Sequence, residues 1–288
     1  MAKQILDQGV PDFEKKAADQ AADQTAGASN MSAIVNIPGA KGIKEIAQVI
    51  ALAILVVGGV ELLLVLTNTP EYVFPRPSAI GVSLVQDFGP LYWAPLLITM
   101  QTFFSGLAIG SSIGLTLAAV LTLKPSLEKL IAPYIIIMVT TPMIALVPFL
   151  MLQFGFGIEP RVFAVALASG PMVMLNSATG FKQTSAALIA LGSSYGATTF
   201  QMFWKIRFPL ALRMIIVGFM VGSIFGLLTA VGAEMVGGGS GLGNRLVYFS
   251  ALIEMPKFGA VLVLIAAFGV TIYTIFTLIS KKWASWEA

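Results

Sequence analysis

Six mostly apolar stretches, each about 20 residues or longer, dominate this chain and limit what it can fold into. At a rise of about 1.5 Å per residue, about 20 such residues cross the hydrocarbon of a bilayer as a helix. The stretches are 46–66, 95–123, 130–154, 162–181, 208–236 and 259–279. Lipid offers no hydrogen bonds, so each backbone N–H and C=O must be satisfied within the protein. The expected fold is therefore all-α: a polytopic membrane protein with about six transmembrane helices. Composition agrees. Of 288 residues, 57% are hydrophobic and 11% are charged, where a soluble domain carries about 25% charged residues.

The chain has no cysteine and no histidine. Disulfides, thiol nucleophiles and Cys/His metal centres are excluded, along with the side chain most used for proton transfer near neutral pH. HExxH, GxSxG and clustered aspartates are absent too. The "GGGSGLGNR" stretch suggests a phosphate loop but lacks the GK[ST] ending, and Asn244 stands where G-x-G-x-x-G needs its last glycine. It is expected to form a turn or short re-entrant element. A net charge of +3 is too small to indicate a nucleic-acid partner and instead reports orientation. Residues 1–42 hold "KKAADQAADQ" and few large apolar side chains. They are expected to form a polar cytoplasmic tail without a signal-peptide core, retained on the mature chain. Residues 43–288 are expected to form the membrane domain.

Six spans put both termini on one side, and near-membrane Lys and Arg decide which. With the termini inside, the inner cations are Lys41, Lys44, Lys124, Lys129, Lys182, Lys205, Arg207, Arg213, Lys281 and Lys282. Arg76, Arg161, Arg245 and Lys257 then lie outside. The excess predicts cytoplasmic N and C termini.

Proline removes a backbone donor, and irregular backbone at membrane depth persists only beside protein or a water-filled cavity. Pro142 and Pro148 in "TTPMIALVPFLMLQFGFG" are therefore candidates for a pathway wall, with a simple packing kink as the alternative. Gly218, Gly222 and Gly226 recur every fourth residue and predict a small-residue groove where another helix packs closely. Glu61 and Glu234 are the carboxylates inside or bordering a span, and burying charge makes them functional candidates. Snorkelling competes for Glu61, and capping or packing competes for Glu234.

Between the fourth and fifth spans, on the expected cytoplasmic side, lies "GSSYGATTFQMFWKIRFP". A helix from Thr198 puts Phe200, Phe203, Trp204 and Arg207 on one face, with Thr199, Met202 and Ile206 forming a second apolar stripe. One stripe can rest on the membrane domain. The other needs a protein groove or, alternatively, the lipid headgroup layer.

"GATTFQMFWKIRFPLAL" resembles the cytoplasmic EAA signature of ABC importer permeases, the binding-protein-dependent transport inner-membrane components. Gly196 and Pro209 match that signature's Gly and Pro, whereas its Glu-Ala-Ala falls on Ala190, Leu191 and Gly192, so its Glu is missing. "YVFPRPSAI", "TPMIALVPFLMLQFGFG" and "GAEMVGGGSGLG" resemble the nitrate/sulfonate/bicarbonate/taurine-type subgroup, and the likeness runs from about Tyr72 to Trp283. A basic residue frequent in that subgroup's second span is Thr102 here.

The resemblance implies a type I ABC importer permease-like bundle with a cytoplasmic coupling helix, in the inner membrane of a bacterium. It implies a non-catalytic subunit without its own cofactor, partnered by two ABC ATPase subunits that use ATP and Mg. A second permease copy, giving a homodimer, and an external substrate-binding protein complete the transporter. The coupling residues implied are Gly196, Ala197, Thr199, Phe200, Phe203, Trp204 and Pro209, with Phe200, Phe203 and Trp204 as the apolar grip. Translocation-pathway candidates are Gln101, Thr102, Pro142, Pro148 and Glu234. The cargo implied is a small anion, a sulfonate or a related organic compound, and the missing cation at Thr102 favours the organic end. An ion-gradient transporter or channel would use more intramembrane charge. A membrane-embedded enzyme would need clustered acids, His or Cys.

Overall fold

The computed structural model describes residues 43–283. The tail expected over residues 1–42 lies outside the described residues. The chain divides into two units, 1–62 and 63–288. The first helix, α1 (Ile43–Leu66), crosses that division. From residue 47 onward its side chains are mostly exposed, as suits an apolar helix made for lipid.

The bundle of the second unit is built from ten further helices. α2 (Pro77–Gln86) leads through a π-helical turn (Phe88–Tyr92) into α3 (Trp93–Leu123). α4 (Pro125–Thr140) and α5 (Met143–Phe154) follow, then α6 (Glu159–Lys182) and α7 (Ala186–Ser194). α8 (Thr199–Met202) runs through a second π-helical turn (Phe203–Arg207) into α9 (Phe208–Gly237). α10 (Leu242–Ala251) and α11 (Met255–Trp283) complete the order, and no strand occurs among the described residues. Five helical segments are long and apolar enough to cross a membrane alone. α4 and α5, of 16 and 12 residues, are each too short to cross alone and are apolar and long enough only together, with a 95° bend at their junction. The irregular backbone expected at Pro142 is thus a sharp break between two helices. Pro142 is the residue before α5 and adopts an extended conformation with ψ 103°. It has no N–H for the Met138 carbonyl, so the helix ends there.

Glycine sets the centre of the bundle. α6 lies between α3 and α9, and each presents a glycine stripe to it. A Cβ on Gly218 would come within 3.2 Å of the Val173 Cα, and one on Gly222 within 3.1 Å of the Ser169 carbonyl. This is the groove expected from the four-residue spacing. An adjoining, partly shared face of α6 meets Gly106, Gly110 and Gly114 of α3, so Val165 and Ser169 stand against glycines of both helices. There, a Cβ on Gly110 would sit 2.5 Å from the Ala166 carbonyl. Backbones this close exclude any side chain, and dispersion between packed backbones replaces the hydrophobic effect that lipid cannot supply.

Polar ties fasten the ends. At the Lys124 end of the bundle, Lys182 of α6 pairs with Glu128 of α4. At the opposite end, Ser83 of α2 hydrogen-bonds the Tyr92 hydroxyl at 2.6 Å. Tyr92 also meets Phe249 of α10 edge-on at 6.2 Å, within a cluster completed by Leu242, Leu246 and Val261.

Candidate functional site

The segment between α7 and α9 is shaped by two capping devices. α7 ends in a left-handed glycine, Gly196, with φ +73°. Its N–H donates to the Ser193 carbonyl, and the Ala197 N–H donates to the Gly192 carbonyl. This paired closure needs a residue without Cβ strain at Gly196. Two residues on, Thr198 starts α8: its hydroxyl accepts from the Gln201 N–H, while the Gln201 side chain accepts from the Thr198 N–H. That reciprocal box fixes the register of Thr199 and Phe200.

The π-helical turn then changes which aromatics face out. The Phe208 N–H bonds back five residues, to the Phe203 carbonyl, so the 3.6-residue phase assumed from the sequence fails here. Phe203 turns inward. It is 4% exposed and packs against Phe181 of α6 with ring centroids 4.9 Å apart. This corrects the expectation that Phe203 forms part of the grip. Met202 is buried as well, filling the space above Gly192 where a Cβ would lie 2.7 Å from the Met202 Cε. Phe200 and Trp204 are 69% and 50% exposed and lie 6.1 Å apart. Trp204 leans on Phe208 at 5.0 Å. Thr199 is exposed and Ala197 partly so. Pro209 directly follows the π-helical turn, so its missing N–H falls where the helical hydrogen-bond spacing changes.

The expected pathway residues separate into two groups. Gln101, Pro142 and Pro148 are exposed on the bundle. Thr102 and Glu234 are not: each is fully buried, so in this conformation neither faces an open path. The Thr102 hydroxyl has no hydrogen-bond partner among the described residues. Glu234 instead organises the glycine loop that follows α9. Its Oε2 accepts from the Gly243 N–H at 2.9 Å and from the Thr99 hydroxyl at 2.8 Å. Thr99 in turn accepts from the Leu242 N–H at 2.8 Å. The carboxylate thus caps α10, where freed N–H groups favour negative charge.

Arg161 was read from sequence only as an outer cation, yet it is 3% exposed and holds the same loop. Its guanidinium donates to the Gly238 carbonyl at 2.6 Å and the Ser240 carbonyl at 2.8 Å. Gly238, Gly239 and Gly241 all have positive φ. A Cβ on Gly239 would come within 2.7 Å of the guanidinium, and one on Gly241 would collide with the Glu234 carboxylate. The glycine-rich motif is therefore a wrapper around two buried ionisable side chains, Glu234 and Arg161, and the ten-residue helix α10 follows it. The clustering of glycines seven residues or fewer after a membrane carboxylate was the available signal.

A third feature lies at the α4–α5 break. A cavity of about 240 Å³ is lined there by Thr140, Thr141 and Pro142, by Leu167 and Pro171 of α6, and by Phe225 and Thr229 of α9, among others. Pro142 was singled out in the sequence; Thr140, Thr141 and Thr229 were not, because isolated threonines in apolar runs carry no distinct pattern.

Residues 106–285 match the family model of the binding-protein-dependent transport system inner membrane component. A probable ABC transporter permease protein of Haemophilus influenzae is 25% identical over 208 residues, 72% of this chain and 84% of that relative. The riboflavin transport system permease protein RibX of Chloroflexus aurantiacus is 26% identical over 224 residues, 77% of this chain and 84% of the relative. Among solved structures, an inward-facing form of the MetNI methionine ABC transporter superposes with a TM-score of 0.61 at 18% identity. It covers 67% of this chain and 98% of the matched chain, a likeness of fold. The chain belongs to the binding-protein-dependent transport system inner membrane components, and is a multi-pass, non-catalytic permease subunit of an ABC importer.

Proposed function

We propose that two copies of this permease form a homodimer that imports a small organic solute, delivered by an external binding protein and driven by two cytoplasmic ATPase subunits. Family membership supports the ATPase and binding-protein partners. The cation excess on the loops that include 124–129 and 205–213 supports cytoplasmic N and C termini. The motifs that resemble the nitrate/sulfonate/bicarbonate/taurine-type subgroup support a range of cargo from small anions and sulfonates to related organic compounds. The absence of a cation at Thr102 favours the organic end.

One observation carries the coupling assignment: two adjacent, exposed aromatics, Phe200 and Trp204, on a doubly capped segment that runs without interruption into α9. Large rings left in water are unfavourable unless a partner covers them, and aromatic anchors dominate protein interfaces. Seated in an ATPase groove, this pair transmits closure of the ATPases to α9. Gly196, Ala197, Thr199 and Pro209 shape its approach and exit. Nucleotide biases the permease only through contacts that differ between states.

The test is co-purification. Tagged permease should retain its ATPase in mild detergent, and Phe200→Ala/Trp204→Ala should release it while remaining monodisperse. Retention of ATPase and uptake by the double variant overturns the seating. Flux driven by a proton or sodium gradient with no ATPase attached overturns the function.

A further inference from the structure

The break between α4 and α5 brings two helix ends of opposite polarity to one cavity. α4 ends on its wall at Thr140, and α5 starts on its wall at Met143. The last carbonyls of a helix and the first N–H groups of a helix have no partner within it. Pro142 adds to the first set, because it has no N–H for the Met138 carbonyl. The neighbouring hydroxyls give no relief: Thr140 donates to the Ile136 carbonyl at 2.9 Å and Thr141 to the Ile137 carbonyl at 2.7 Å. Pro171 of α6, on the same wall, leaves the Leu167 carbonyl without its helix donor. One side of the cavity is therefore an acceptor pole.

The other side is a donor pole. The 12-residue α5 has no side-chain cap at its N-terminus, and Met143 and Ile144 of its first turn line the cavity. Free N–H groups and the helix dipole favour negative charge there. Thr229 of α9 stands beside this turn. A Cβ on Gly232, three residues further along α9, would lie 2.7 Å from the Ile144 side chain, and residues three apart share a helix face. Thr229 is 5% exposed and lines the cavity, and its hydroxyl has no hydrogen-bond partner among the described residues. That proton is free for an oxygen in the cavity. Met172, Phe225 and Leu228 supply apolar wall, and no charged side chain lines the cavity among the described residues.

We propose that this cavity is a cargo-contact site that takes a zwitterionic organic solute. Its carboxylate or sulfonate meets the first turn of α5 and Thr229, and its ammonium meets the carbonyls at the end of α4. The proposal rests on the importer reading above and deepens it. A solute with a single charge would leave the opposite pole unpaired, which is unfavourable away from water. A zwitterion with a short apolar link occupies both poles and covers the apolar wall.

The chain has no cysteine, so single thiols report on each pole. Ile144→Cys marks the donor pole and Thr140→Cys the acceptor pole, and both native side chains are exposed. Each variant is assembled with its ATPase and exposed to sulfonatoethyl methanethiosulfonate, an anion, or to trimethylammonioethyl methanethiosulfonate, a cation. Labelling is followed as mass added to the permease chain. The ratio of the two rates at one thiol cancels its thiolate fraction and reports the local potential. The anion-to-cation ratio at Ile144→Cys should exceed that at Thr140→Cys by about ten-fold, the sum of two helix-end effects of opposite sign. Thr229→Val, added to Ile144→Cys, should lower the ratio there. Trapping the ATPase with ATP and vanadate should change both rates.

Equal ratios, or the reverse order, overturn the zwitterion assignment. A ratio unmoved by Thr229→Val overturns the part given to Thr229. No reaction at either thiol, or reaction indifferent to nucleotide, overturns the cargo-contact location. All of these leave ATPase co-purification intact, so they are distinct from failure of the importer assignment.

Discussion

The two glycine stripes that α3 and α9 turn toward α6 make a graded prediction. Alanine at Gly110 would put its Cβ 2.5 Å from the Ala166 carbonyl and 2.9 Å from the Ala166 Cα. Both atoms are backbone, so no rotamer change gives relief. To reach an ordinary contact of about 3.4 Å, α3 must back away from α6 by about 0.9 Å. Overpacking of this kind costs about 1–3 kcal/mol, and a backbone obstacle puts it near the upper end. The gain in helix propensity, about 1 kcal/mol, offsets part of that. Gly110→Ala should therefore lose about 2 kcal/mol. At Gly226 the nearest atom to a new Cβ is the Val165 Cγ1 at 3.4 Å. That contact is ordinary, so Gly226→Ala should keep the propensity gain of about 1 kcal/mol. Gly222→Ala, with Val173 Cγ2 at 3.0 Å and the Ser169 carbonyl at 3.1 Å, should fall between. A spread of about 3 kcal/mol corresponds to unfolding midpoints about 6–12 °C apart, readable by thermal unfolding of the purified permease in one detergent. If Gly110→Ala melts at or above Gly226→Ala, close backbone packing does not hold α6 in place.

Three further outcomes follow from the same geometry. Phe203→Asp should abolish folded, monodisperse protein, because it buries a carboxylate against Phe181 and Phe208; recovery of folded protein that has merely lost its ATPase would return Phe203 to the grip. Glu234→Leu strands the Thr99 hydroxyl and the Gly243 N–H, at about 1–3 kcal/mol each, whereas Glu234→Gln retains an oxygen for both. Thermal unfolding should rank Glu234→Gln well above Glu234→Leu. Gly196→Ala forces a Cβ into left-handed backbone at φ +73° and should cost about 1–2 kcal/mol, most of it seen as faster proteolysis between α7 and α8.

The spans were legible because lipid imposes a length and a polarity that no other environment demands. The α4–α5 break was half legible: Pro142 marked the position, but a 95° bend depends on packing against α6 and α9. α2 and α10 were not called as helices. At ten residues each they are too short to cross, and their buried sides are set by packing with Tyr92 and Val261, which lie outside both helices. The inward turn of Phe203 was hidden for a different reason. A π-helical turn shifts the phase by one residue, and nothing in a pattern of apolar spacing distinguishes it from ordinary helix. Arg161 was invisible as a partner of the glycine loop because 77 and 79 residues separate it from the carbonyls it binds. The Glu234 clasp was anticipated in kind, as capping or packing, without its partners.

α8, the π-helical turn and α9 form one uninterrupted helical body of 39 residues. At about 1.5 Å per residue this body is about 58 Å long, longer than the bilayer is thick. A lever of that length needs little input. Tilting its Phe200 end by about 10° swings its Gly237 end by about 10 Å. The swinging tip carries the glycine wrapper and α10, so under the coupling proposed above a small stroke at Phe200 is magnified at the far end of α9 without a relay of intermediate side chains.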